Sequence, residues 1–393
     1  MNGTIYMPVG EVCSSISDTY REKKNMVTLI NTSDVLEGRV LNHERVPNSN
    51  LKGQFKKTFQ RDDILYSEIR PQNRRFAYVD FSPIDYIAST KLMVIRAKKD
   101  VVSPKYLYYF LKNSSTVAEL QLLAETRSGT FPQITFSEVA NLTIPVPSLA
   151  VQEVIVQTMQ CLEDKITCNE QINDNLEQQA QSYFQELFVD NASPEWTTGT
   201  ISDLGTVVGG STPSKAKPEY YTESGIAWIT PKDLSINKSK FVSHGENDIT
   251  ELGLKNSSAV IMPEGTVLFS SRAPIGYIAI AAGEVTTNQG FKSVVPKPEI
   301  GTPFVYFFLK NTLPVIEGMA SGSTFKEVSG STMKNVPAVI PDAETLAKFS
   351  DFCAAIFAQQ RTLEEQNQSL AKLRDSLLPK LMSGEIDVSA VHL

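Results

Sequence analysis

The six-residue phrase YYFLKN at 108–113 returns as YFFLKN at 306–311, 198 residues later, with Tyr109 replaced by Phe307 as the one change. The echo extends outward. SGTF (128–131) answers to SGSTF (321–325), and NLTIPVPS (141–148) to NVPAVIPD (335–342). Upstream, DILYSEIRPQNRRFAYVD (63–80) corresponds to TVLFSSRAPIGYIAIAAG (266–283), and LINTSDV (29–35) to WITPKDL (228–234). Every pair keeps its order. Chance matches do not stay collinear over such a range, so the chain carries a duplicated domain of about half its length, far longer than a solenoid repeat. A chain of 393 residues also exceeds what one ordinary core accommodates.

Each copy is followed by a different kind of text. Residues 151–190 lack proline and glycine, and apolar residues recur at Ile155, Met159, Leu162, Ile166, Ile172, Leu176, Ala180, Tyr183 and Leu187. Steps of three and four residues mark a long amphipathic helix. Residues 345–378 repeat the pattern with Phe349, Cys353, Ile356, Leu363, Leu370 and Leu377, interrupted by Gln360 and Asn367 in the manner of register-fixing polar residues. Pro379 is expected to kink or end this helix, and Ser383-Gly384 to stop it. Helices of this length reach roughly 55 Å, so the economical arrangement packs one on the other. The expected fold is α+β: two similar globular domains separated by two long antiparallel helices forming a coiled-coil spacer, with pseudo-two-fold symmetry. The expected boundaries are 1–150 for the first globule, 151–190 for the first spacer helix, 191–340 for the second globule, and 341–393 for the second helix and tail.

Charge divides along the same lines. The net charge of −7 is the sum of +4 over 1–150, −7 over 151–190, −1 over 191–340 and −3 over 341–393. An acidic helical face repels phosphate, so the helices should meet proteins along much of their length. The globules are neutral to mildly basic, and any nucleic-acid grip must be local or shared with partners. Hydrophobic content of 41% with 21% charged residues places the chain in the globular class. No run of 18 apolar residues occurs, and the start MNGTIYMPVGEVC has neither a basic nor an apolar signal region, so a cytoplasmic protein is expected. Cys13, Cys161, Cys168 and Cys353 contain no CxxC pair, which fits reduced thiols better than a zinc site.

Catalytic motifs are lacking. GGSTPSK (209–215) has no second glycine before Lys215 and reads as a turn rather than a phosphate-binding loop; GxGxxG is absent, as is the Asn-Pro-Pro-Tyr/Phe text of aminomethyltransferases. His43, His244 and His392 have no serine or cysteine arrangement around them that suggests a triad. No catalytic residue and no metal ligand is expected. Recognition is what remains. Ser270, Ser271 and Arg272 follow an apolar strand-like segment, and Tyr66, Ser67, Arg70, Arg74 and Arg75 occupy the matching part of the first copy. Arginine and serine commonly contact phosphates and base edges. RSGTF (127–131) and SGSTFKE (321–327) set small residues beside an aromatic, permitting close backbone approach. The DNA-contact candidates are these residues together with Arg127, Ser128, Thr212, Lys215, Lys232, Ser323, Thr324 and Lys326.

The ordered set GGSTPSK, WITPKDL, GTVLFSSRAPIGYIAIA, TNQGFKSVVP, SGSTF and the tail LLPKLMSGEIDV (377–388) resembles the DNA-specificity subunit of type I restriction–modification enzymes, over the whole chain. The first copy departs more, with VCSSISDTYREKK where a glycine-threonine-proline turn is usual. The resemblance implies that each globule is a target recognition domain reading one half of a split, non-palindromic site in double-stranded DNA. It implies helices that space the domains and dock two modification subunits, which methylate adenine at N6 with S-adenosylmethionine, and restriction subunits powered by ATP joining through them. Magnesium, like the other cofactors, would sit on those partners and none on this chain. Two other readings stay open on the residues alone: a non-catalytic protein-binding scaffold with two duplicated domains, and a stand-alone DNA-modifying enzyme with unrecognised motifs.

Overall fold

The computed structural model describes residues 4–49, 53–126, 132–322 and 326–388. The chain divides into two compact units, one of residues 1–166 with 369–393 and one of residues 167–368.

In the first unit an antiparallel sheet runs in the order Cys13–Ile16, Leu92–Ala97, Ile64–Ser67, Phe76–Tyr78. A second sheet contains a parallel pair, Met26–Ile30 with Tyr86–Ser89. Strands Ile5–Pro8 and Thr143–Val146 close a two-stranded ribbon. The second unit repeats this plan. Its larger sheet runs Gly205–Gly209, Lys292–Pro296, Val267–Ser271, Ile275–Ala281, with an added parallel strand Phe241–Val242. Ile226–Ile229 pairs in parallel with Thr286–Thr287, and Thr197–Thr200 makes a ribbon with Pro337–Ile340. Mixed sheets with flanking helices fit the expected α+β class.

The repeated phrase is core text in both copies. YYFLKN ends helix Pro104–Lys112, and YFFLKN lies within helix Thr302–Met319. Tyr109 and Phe307 are fully buried, and Tyr108 and Tyr306 nearly so. An aromatic side chain buried this far contributes roughly 1.5–3 kcal/mol, so the phrase anchors each unit.

The long helices are built into these cores. Helix Leu149–Gln185 supplies Ile155, Val156 and Met159 to the first core, and helix Ala343–Ser383 supplies Leu378, Leu381 and Met382. In the second core Ala180 and Phe184 meet Leu346, Phe349 and Cys353. The second helix runs through Pro379 to Ser383, where Gly384 takes φ +79° and ends it. Pro379 sits only four residues from the end, and burial of Leu378, Leu381 and Met382 around it holds the last turn.

Within the second unit the helices lie antiparallel, because Asn169 Nδ2 donates to Asn367 Oδ1 (2.8 Å) while Gln360 Nε2 donates to the Asn173 carbonyl (3.2 Å). Four residues forward on one helix answer seven backward on the other. Beside this crossing lies a buried ionic cluster. Lys240 Nζ reaches Glu177 Oε2 (2.5 Å) and Gln360 Oε1 (2.7 Å), and stands 3.9 Å from the Phe357 ring centroid. Lys310 and the Tyr306 hydroxyl, both from the repeated phrase, also bind Glu177 (2.5 and 3.1 Å). The Glu364 carboxylate accepts from the backbone amides of Lys240 and Phe241, fixing the added strand to the helix. In the first unit Lys112 and Tyr109 bind Glu163, the lysine from the matching position of the phrase and the hydroxyl from the next one along. Each copy of the phrase thus grips a carboxylate of the first long helix.

Among the described residues no helix is long and apolar enough to cross a membrane, and no cluster of His, Cys, Asp or Glu is arranged to hold a metal.

Candidate nucleic-acid interface

Three segments converge beside the larger sheet of the second unit. The Ser271 amide donates to the Gly290 carbonyl (2.7 Å), and the Val328 amide to the Ser271 carbonyl (2.9 Å). A fourth segment, GGSTPSK, lies across the Asn288–Gly290 turn. The Ser211 amide bonds Thr287 O (2.8 Å), and Trp228 Nε1 bonds Ser211 O (3.0 Å). A Cβ on Gly210 would fall 1.9 Å from the Asn288 carbonyl oxygen, so only glycine permits this approach. The Asn288 amide in turn bonds Ile229 O, which brings WITPKD to the same edge.

The first unit makes the same junction from its own text. The Glu68 amide donates to Lys91 O (3.0 Å) and the Ile134 amide to Glu68 O (2.9 Å). Arg70 precedes Pro71 and Ala273 precedes Pro274, and both take left-handed φ, 45° and 50°. Such φ values are uncommon away from glycine, and their recurrence shows that the turn itself is duplicated.

The candidates divide into inside and outside. Tyr66, Ser67, Ser270 and Ser271 are buried, which corrects the expectation that they present polar groups to a partner. Tyr66 stacks on Phe76 with centroids 5.4 Å apart. Ser67 Oγ accepts from the Ile69 amide; Ser270 Oγ donates to Pro274 O and accepts from the Tyr277 amide; Ser271 Oγ donates to Gly290 O. These hydroxyls satisfy backbone groups in the turn, and a buried hydroxyl needs such partners. Arg74 and Arg75 are half-buried and hold scaffold: Arg74 donates to Ser114 Oγ (2.9 Å), Arg75 to the carbonyls of Ser33 and Val35. Lys232 is exposed and pairs with Glu246 at 2.6 Å, while Thr230 and Asp233 close a capping box. Thr212 bonds Gln289, and Lys215, Lys326 and Arg70 are exposed. Arg127, Ser128, Ser323 and Thr324 lie outside the described residues.

The junction brings Arg272, Thr212, Gln289, Lys292 and Glu327 to one edge, and the last four come from three segments distant in sequence from Arg272. Lys292 and Glu327 were not among the sequence candidates. Arg272 Nη1 stands 3.7 Å and Lys292 Nζ 3.8 Å from the Glu327 carboxylate. Burial pushes the Lys292 ammonium below its ordinary range, with Glu327 opposing that shift and Arg272 adding to it.

The profile of the type I restriction modification DNA specificity domain matches residues 6–178 and again 194–372. The chain belongs to that family. The two matched stretches are the two copies of the duplication, and together they span most of the chain. As a member of the type I specificity family it is the DNA-recognition component of such a system rather than a catalytic subunit. It is 29% identical to the type I restriction enzyme HindI specificity subunit of Haemophilus influenzae, over 92% of this chain and 94% of that one. It is 37% identical over 195 residues to the MjaIX specificity subunit of Methanocaldococcus jannaschii, covering 49% of this chain and 45% of that one. The fold is similar to the crystal structure of the type I restriction–modification system S subunit from M. genitalium, with TM-score 0.55 at 17% identity, over 97% of this chain and 96% of that one.

Proposed function

We propose that each unit reads one half of a bipartite, non-palindromic DNA target through the loop junction beside the sheet that holds Ile64–Ser67 in the first unit and Val267–Ser271 in the second. The observation that carries this reading is the duplicated junction. Two copies of one backbone arrangement, each bearing its own cationic side chains, suit two different half-sites. The long helices serve as spacer and as docking surface for two modification subunits, which their acidity favours over DNA contact. S-adenosylmethionine, ATP and magnesium act on those modification subunits and on the restriction subunits that join them, and this chain binds no cofactor. Near-neutral globules give weak DNA affinity alone, and the modification subunits supply the remaining phosphate contacts.

A salt series of duplex binding by the purified chain, alone and with its modification subunits, tests this. The expected result is weak binding alone and tight, site-selective binding in the complex. Tight site-selective binding by the chain alone at physiological salt contradicts the shared grip, and no binding in either form contradicts the function.

A further inference from the structure

The Glu327 carboxylate faces two cations of the second junction, Arg272 at 3.7 Å and Lys292 at 3.8 Å. The three residues come from separate segments, tied by the bonds from Ser271 N to Gly290 O and from Val328 N to Ser271 O. Glu327 itself is fixed in the backbone by a reciprocal pair of bonds with Ser321 (2.9 and 3.1 Å).

In the first unit the corresponding bonds put Gln133, Glu68 and Lys91 where the second unit has Glu327, Ser271 and Gly290. A carboxylate again faces a cation: Lys91 Nζ lies 3.4 Å from Glu68 Oε2, and 3.4 Å from Gln133 Oε1. The carboxylate has changed segment, however. Glu68 stands where the second unit has Ser271, and neutral Gln133 stands where it has Glu327. The two copies therefore share a pairing assembled from different positions, not a single inherited side chain.

We propose that Glu327 is a specificity-determining residue that opposes binding to non-target DNA. Resting on the DNA-reading function above, it occupies Arg272 and Lys292 as a phosphate would. An arbitrary duplex meets a neutralised patch. A target duplex, seated by its base contacts, brings a phosphate to the place where the carboxylate stands and displaces it. The pairs are long and partly exposed, so they are weak enough to give way.

The test uses the full chain assembled with its modification subunits. Binding of an arbitrary-sequence duplex and of a target duplex, bearing the motif that methylation mapping assigns to the native chain, is followed by fluorescence anisotropy over a salt series, for the native chain, E327Q and R272A/E327Q. For E327Q the expected affinity for the arbitrary duplex rises about five- to tenfold, with the log–log salt slope steeper by about one to two units as two cations become available. Target affinity rises less, so discrimination falls, and adding Arg272→Ala removes most of the gain. Unchanged binding of the arbitrary duplex, or an equal gain for both duplexes, overturns the proposal while leaving the DNA-reading function intact. Should E327Q fail to fold, Arg272→Ala in the native background decides the matter. Arbitrary-duplex affinity that stays put supports a cation already neutralised, and a clear drop overturns it. A native complex that binds neither duplex overturns both the function and this proposal.

Discussion

The Lys240 ammonium and the Glu177 carboxylate meet at 2.5 Å inside the second unit. Burial pushes Lys240 below its ordinary range, with Glu177 opposing that shift. Burial also acts to raise Glu177, but Lys240 and Lys310 outweigh it and hold the carboxyl below its ordinary range. Removing one partner of such a pair leaves a buried charge poorly compensated. Lys240→Met is expected to destabilise the second unit by about 2–4 kcal/mol, at the lower side of that effect because Lys310 remains on Glu177. In a denaturant series the double variant K240M/E177Q should lose less than the sum of the two single losses. Additive losses would mean that the pair is not coupled.

The same carboxyl sets an acid dependence. A folded-state value held below the unfolded one gives stability that is present above the unfolded value, near 4.5, and is lost as pH falls through the lower folded value. Burial pushes Glu364 the other way, so it gains as pH falls. Comparing native chain with E177Q reads the contribution of Glu177 together with its push on Glu364. The stability gap between them should be widest above about pH 5 and should shrink steadily below the ordinary glutamate value. A gap that does not change with pH contradicts the linkage.

Asn169 is fully buried and donates to Asn367 across the helix pair. Asn367→Ala leaves that amide with the longer bond to Gln366 Oε1 (3.4 Å) and is expected to cost about 1 kcal/mol. Replacing both residues by leucine should recover much of the stability while loosening register, as buried polar residues do in coiled coils. Thermal melts of the native chain and the two variants check the order; a double variant no more stable than Asn367→Ala contradicts it.

The junction residues separate into readers and scaffold. Arg272→Ala should weaken recognition through the second unit by about 1–3 kcal/mol while the half-site preference of the first unit survives. Ser271→Ala should act differently. It removes the bond to Gly290 O and costs about 1 kcal/mol of stability, leaving the target sequence unchanged. Binding selections on randomised duplexes distinguish the two. A changed target for Ser271→Ala would return that hydroxyl to the reading surface.

What the sequence made legible follows from which physical signal each element leaves. The duplication and the two helices were readable because collinear phrases and three- and four-residue apolar steps survive as text. The buried serines were misread because SSR looks like an exposed polar run; their hydroxyls are satisfied by the Pro274 and Gly290 carbonyls, and nothing in the string marks those partners. Lys240 left no signal either, since KSKF reads as a charged loop and its partners lie more than 60 residues away along the chain. Asn169 left one. The apolar seam steps from Ile166 to Ile172, and the gap falls on the residue that pairs with Asn367. Glu327 and Lys292 were visible as letters, but their meeting with Arg272 depends on three segments that only the folded sheet brings together.

Methylation mapping tests the central claim most directly, with cells carrying the native chain compared to cells carrying a chain whose residues 191–340 come from another family member. The account predicts a bipartite methylated motif for the native chain, lost when the chain is deleted, and a motif altered in one half alone after the exchange. Methylation that persists without the chain, or an exchange that alters both halves together, would contradict it.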